Sequence, residues 1–197
     1  MYIPKHFIGG DQLAALDFIE ANGFAQLVGL LDGELFCTHI PLLLDRTNNR
    51  LLGHLARGNP QAQALLGQRL LCIFSGPHDY ISPSWYQSPG VPTWNYQAAH
   101  VYGACTLVEN ADVVHDMLKD LTAKYEAQET VPWTPDYKPS MINAIVAFEI
   151  VIERIDLKFK LSQNRSVEDQ KAVVQALRLR NSQVLADAMV RHLKLED

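Results

Sequence analysis

Between residues 24 and 56, three short apolar runs follow one another with almost nothing between them. They cover residues 24–31, 34–44 and 50–56, and the only separators are Asp32-Gly33 and Asp45-Arg46-Thr47-Asn48-Asn49. Two to five turn-type residues cannot carry a chain through a parallel crossover, which takes a dozen residues or more. The runs are therefore predicted as antiparallel strands joined by hairpins, and a parallel α/β sheet is disfavoured. Residues 147–160 strengthen this reading. Phe148, Ile150 and Ile152 alternate there with Glu149, Val151 and Glu153, the two-residue period of a strand with one buried face.

Other segments punctuate the strands. Leu13, Leu16, Phe18 and Ile19 after Asp11 predict a short amphipathic helix that ends near Asn22-Gly23. Asn59 is placed to cap a helix over residues 61–66 with Pro60 at its start. Residues 69–75 read as a strand closed by Gly76-Pro77-His78, and residues 79–92 as an ordered loop rich in Ser, Pro and aromatics. A strand over 94–109, a helix over 111–126, the strand 147–160 and a helical stretch from Ser166 onward complete the chain. Ser166 with Asp169 three residues on is a variant capping box. The expectation is one domain over residues 1–197, mainly β with added α: about six strands in a small, partly closed antiparallel barrel. Helices are inserted between strands, and residues 166–197 form a C-terminal helical extension.

Composition narrows the class. With 48% hydrophobic residues over 197 positions, the chain can bury a core without staples. No apolar run is long enough to span a bilayer as a helix, and no signal-peptide pattern is visible. Cys37, Cys72 and Cys105 are odd in number and far apart, which suits a reducing cytoplasm rather than a disulfide framework or a zinc cage. Residues 1–153 hold 8 Lys and Arg against 16 Asp and Glu, whereas residues 154–197 hold 9 against 6. An acidic body does not suit a polyanion, so direct contact with DNA is not supported by charge.

Phosphate loops, dinucleotide fingerprints, zinc-protease helices and nucleophile elbows are all missing. His39 and His54 lie on consecutive predicted strands without acidic ligand spacing, and no metal is expected. Three segments stand out. In the first, Gly53-His54-Leu55 leads through Arg57 to Asn59 and Gln61, where a strand end, a cation and a helix start suit a phosphate cradle or an ordinary corner. In the second, Tyr80, Trp85, Tyr86, Trp94 and Tyr96 suit the wall of a planar ligand, a subunit contact, or anchors of their own loop. In the third, Lys158-Phe159-Lys160 runs on to Arg165, which suits an anion near Lys160 and Arg165 or a solvated strand end.

These segments also resemble a known family. Met1-Tyr2-Ile3-Pro4-Lys5-His6-Phe7, Thr38-His39-Ile40-Pro41, Gly53-His54-Leu55-Ala56-Arg57 with Asn59-Pro60-Gln61, Gly76-Pro77-His78, Trp94-Asn95-Tyr96 and Lys160-Leu161-Ser162-Gln163-Asn164-Arg165 look like the PaiB family. Its members are described as FMN-binding negative transcriptional regulators. The resemblance implies a Greek-key split β-barrel, related to pyridoxamine-phosphate oxidase, that binds FMN as a homodimer with cofactor sites at the interface. It assigns Thr38, His39, Ile40 and Pro41 to the flavin ring. Gly53, His54, Leu55, Arg57, Asn59 and Gln61 fall to the ribityl phosphate, and Trp94 and Asn95 to contacts from the partner chain. Where the oxidases carry an Arg-Lys pair, this chain has Asn59-Pro60, leaving Arg57 with Lys160 or Arg165 to supply charge. A flavin-linked sensor with repression as output is the first functional expectation. An FMN-dependent oxidoreductase using NAD(P)H or a small substrate is the second, and a module without flavin, or with haem on a histidine, the third.

Overall fold

The structure is a computed structural model and describes residues 1–195. Helix α1 (Gln12–Ala21) precedes the hairpin of β1 (Phe24–Leu31) and β2 (Glu34–Pro41), followed by β3 (Leu43–Asp45), β4 (Arg50–Ala56) and the single turn α2 (Gln61–Ala64). Strands β5 (Arg69–Ile81) and β6 (Thr93–Leu107) come next, then α3 (Ala111–Glu126), α4 (Pro139–Asn143), β7 (Ile145–Lys160), α5 (Val167–Leu179) and α6 (Gln183–Leu193). The strands form one sheet in the order β2-β1-β5-β6-β7-β4-β3.

The mainly β architecture with inserted and C-terminal helices stands, but six strands become seven and the sheet is not closed by a ladder between β2 and β3. The seventh strand arises where the run 34–44 breaks. Pro41 has no N–H to continue pairing, and Leu42 turns inward to 1% exposure, its N–H donating to the Gly23 carbonyl at 2.8 Å. That one residue carries the chain from β2, at one end of the strand order, to β3 at the other.

Two compact units divide the chain. A central unit comprises Ile19–Phe74 and His100–Ile155; a terminal unit comprises Met1–Phe18, Ser75–Ala99 and the chain from Asp156 onward. In the central unit, Ala25 and Leu27 of β1, Leu51 and Leu55 of β4, and Phe148 and Ile150 of β7 form the core, as period-two alternation requires. Gly53 belongs to it as an absence: a Cβ there would lie 2.6 Å from Leu42 Cδ2. On the other face of β4, Leu52 and Ala147 pack against Val114, Met117 and Leu118 of α3. In the terminal unit, the rings of Phe18 and Phe159 meet at 5.3 Å, and Leu161, Val173, Leu177 and Met189 are buried around α5 and α6. Cys72 and Cys105 are buried free thiols, with Cys105 pushed up to about 12 by desolvation, while Cys37 is exposed.

Several boundaries move. The strand expected to stop at Ser75 runs on to Ile81, through Gly76-Pro77-His78 and the start of the expected loop. The β1 ladder on β5 ends at Phe74, so the absent N–H of Pro77 costs no bond on that side. The helix over 61–66 stops at Ala64, because Gly67 takes a left-handed φ of 75° and Gln68 Nε2 donates to the Ala64 carbonyl. The C-terminal stretch breaks into two helices at Asn181, also left-handed, and its last two residues lie outside the described ones. Helix α4 is too short for a periodic signal and was not expected.

Candidate functional site

In the central unit, two free strand edges border a slit. Strand β2 pairs only with β1, and the β3–β4 ladder ends at Leu43–Leu52 while β4 continues along β7 to Ala56. Beyond Leu52, the edge of β4 opposite β7 therefore has no strand beside it, and β2 comes within 8 Å of β4 between Cα atoms. Thr38, His39, Ile40 and Pro41 form one lip, and Gly53, His54 and Leu55 the other. Both lips carry backbone polar groups that no ladder claims, which are obligatory hydrogen-bonding groups in want of partners. The side chains of Ile40 and Leu55 point into the core, so these residues offer backbone rather than side chain.

A polar knot lies between Thr38 and the start of α2. Asn59 Nδ2 donates to Thr38 Oγ1 at 3.1 Å, and Thr38 Oγ1 donates to Gln61 Oε1 at 2.6 Å. The Gln61 N–H donates to Asn59 Oδ1 at 3.0 Å, the expected cap. Gln61 is 1% exposed and its Nε2 donates to the Leu27 carbonyl at 3.2 Å, which satisfies a buried amide.

Arg57 is exposed at the end of β4. Its Nε and one Nη2 hydrogen donate to the carbonyls of Asn143 and Ile145, both at 2.8 Å. Among the described residues, three of its five N–H groups have no protein partner, and it lines a 370 Å³ cleft with Val108, Glu109, Val114 and Ala147. His54 is half-buried, and its Nδ1 is a buried atom without a hydrogen-bond partner among the described residues. Burial holds this imidazole below the usual histidine range, in its neutral form.

The other expected site residues fall in the terminal unit. Trp94 is exposed and packs edge-on to Tyr80 at 6.2 Å. Asn95 is wholly buried, its Nδ2 donating to Ser162 Oγ at 2.9 Å and to Met189 Sδ at 3.4 Å. Lys160 Nζ donates to Thr93 Oγ1 at 2.7 Å and to the Trp94 carbonyl at 2.6 Å. Arg165 donates to the Pro89 carbonyl at 3.0 Å, with its guanidinium 4.1 Å from the Tyr86 ring centre. Tyr86, Trp94 and Arg165 thus tie down the chain between β5 and β6, the anchoring role left open by the sequence. Sequence reasoning passed over Leu42, whose only signal is the proline before it, and took Lys158 only as the start of the basic segment that runs to Arg165.

A family described as "Putative FMN-binding domain" matches residues 1–154. The Bacillus subtilis protein named "Protease synthase and sporulation protein PAI 2" is 36% identical over 205 residues, covering 98% of this chain and 99% of its own. Among solved structures, the FAD and haem binding protein of Mycobacterium smegmatis superposes with a TM-score of 0.65 at 17% identity, covering 82% of this chain and 78% of that one. The flavocytochrome Anf3 of Azotobacter vinelandii gives 0.63 at 18%, covering 76% and 67%. At these identities the solved structures speak to fold alone.

Proposed function

The chain belongs to the FMN-binding domain family that matches residues 1–154, and from that membership we propose an FMN-binding protein of the PaiB type whose flavin serves as a sensing element. The 36% identity across nearly the whole Bacillus subtilis relative supports the PaiB type, and the regulatory role rests on that relative's name. The observation that carries the proposal is the pair of free edges in the central unit. A flat, polar ring can hydrogen-bond to backbone on both lips, and an added Cβ at Gly58, beside Arg57 and Asn59, would meet nothing within 4 Å. With the unpartnered His54 Nδ1 and three unspent N–H groups on Arg57, the donor set fits a phosphorylated flavin.

In this reading Thr38, His39, Ile40 and Pro41 hold the ring through backbone groups. Gly53, His54, Leu55 and Arg57 serve the phosphate end, while Asn59 and Gln61 keep the Thr38 hydroxyl in place. Trp94, Lys160 and Arg165 act from a second copy of the chain, and Asn95 positions Ser162 from behind. FMN, when bound, supplies one- and two-electron redox chemistry. Repression reaches its target through metabolism or another protein, since the body of the chain carries twice as many acidic as basic residues.

Titration of FMN and riboflavin, read by quenching of flavin fluorescence, tests the site. FMN should bind more tightly than riboflavin, and Arg57→Ala should weaken FMN by about ten- to a hundredfold with little change for riboflavin. Equal affinity for the two flavins, or an unchanged FMN affinity in the variant, would remove Arg57 from the phosphate end. The unpartnered, neutral His54 favours a second reading, an FMN-dependent oxidoreductase in which this imidazole takes up a proton. Steady consumption of NAD(P)H that His54→Phe abolishes would select it over the sensor.

A further inference from the structure

Strand β7 ends with Leu157 and Phe159 on one face and Asp156, Lys158 and Lys160 on the other. The apolar face is taken up inside the terminal unit, where Leu157 and Phe159 crowd Gly9. The opposite face presents two ammonium groups two residues apart. Lys158 is only 8% exposed; its Nζ donates to the Tyr2 carbonyl at 3.1 Å and lies 5.8 and 5.3 Å from the ring centres of Tyr2 and Tyr96. Lys160 Nζ lies 5.8 Å from the Phe7 ring centre, beyond its bonds to Thr93 and Trp94.

Each ammonium carries three N–H donors, of which Lys158 spends one on oxygen and Lys160 two. Neither pairs with a carboxylate among the described residues. Asp156 meets the Met1 amine at 2.5 Å, and Asp169 accepts from the Ser88 hydroxyl and the N–H groups of Gln87 and Ser88. Desolvation, with Lys158 and Arg165 nearby, pulls Lys160 below the usual lysine range. Buried charge without a counter-charge is costly unless something answers it. Here no carboxylate among the described residues answers it, while aromatic rings and unspent donors are in place.

We propose that Lys158 and Lys160 form the floor of a pocket that takes an oxyanion, the phosphate or carboxylate of a small molecule. The proposal rests on these two ammonium groups and their neighbours within the terminal unit, so it does not require the slit in the central unit to hold flavin. The oxyanion has two possible sources, the phosphate of FMN or a separate small anion.

The test is thermal unfolding of flavin-free, full-length protein titrated with inorganic phosphate at constant ionic strength. At about ten times the dissociation constant, phosphate should raise Tm by about 3–6 °C, saturably. Lys158→Met and, independently, Lys160→Met should remove the rise, whereas Lys171→Met, on the exposed face of α5, should keep it. Absence of a saturable rise in the parent chain, or an undiminished rise in both pocket variants, overturns the proposal. Should one variant fail to fold, the other decides. Repeating the titration with saturating FMN or riboflavin separates the sources: a response lost under FMN but kept under riboflavin assigns the pocket to the flavin phosphate, and a response kept under both assigns it to a separate anion.

Discussion

A methyl group at Gly103 would collide with the backbone carbonyl of Val151 and lie 2.7 Å from Ile150 Cγ2. A carbonyl in a neighbouring strand cannot swing aside as a side-chain tip can. Gly103→Ala should therefore cost about 2–3 kcal/mol in urea unfolding, while Gly58→Ala, facing open space, should stay within about 0.5 kcal/mol. Sequence pattern places Gly103 inside a predicted strand and Gly58 just past the end of one, but the cost at Gly103 is set by a contact with a strand almost fifty residues away. The same limit applies at the candidate site. Thr38 was named by the family resemblance and Asn59 and Gln61 by their place at a helix start, yet their mutual hydrogen bonds depend on how α2 returns beneath β1. The orphaned Nδ1 of His54 left no trace in the sequence at all.

At the scale of elements, local signals were legible wherever a strand or helix begins and ends by its own chemistry. β1, β4 and α3 run as expected to the residue, and Ser166 Oγ accepts from the Asp169 N–H at 3.2 Å as its cap. What a capping pattern cannot foresee is where the second member of the box goes. Asp169 turns to the segment after β5, and the Ser88 hydroxyl, with help from the N–H groups of Gln87 and Ser88, holds its carboxyl below the usual carboxylate range. Its folded pKa thus lies below its unfolded one. Its contribution is fully present above the unfolded value, near pH 4, and is lost as pH falls through the folded value. Asp169→Asn should be less stable than the parent at pH 7 and should show a shallower loss of stability below about pH 4, measured by urea midpoints across pH. The slope that remains belongs in part to Asp45, which hydrogen bonds from Asn48 and Arg50 keep low against its desolvation.

For the molecule as a whole, the informative surface is the outer face of the hairpin in the central unit. Phe24 and Leu30 of β1 and Leu35 of β2 are 60%, 50% and 78% exposed, and Val28 opposes Cys37 between them. Leu71 and Ile73 of β5 continue the same face by register with Val28 and Gln26. An antiparallel sheet with one wet face normally turns polar residues outward, so this apolar face supports a second copy of the chain as its cover. Light scattering after size exclusion should give about twice the 22.1 kDa chain mass, and Leu35→Asp should return it to a single chain. A single-chain mass for the parent would leave the interface, and the contacts assigned to a partner copy, without support. Short apolar runs marked β1 and β2 in the sequence but could not say whether their second face met water or another molecule.

The one-residue passage at Leu42 has a mechanical consequence. It works like the stop at the end of a zip: the two rims are sewn together there and cannot part. Any widening must fan out from the far end, where the clasp of Thr38 with Asn59 and Gln61 sits. Across that end the rims are tied by two side-chain hydrogen bonds, Asn59 Nδ2 to Thr38 Oγ1 and Thr38 Oγ1 to Gln61 Oε1, so parting them there costs far less than parting a ladder.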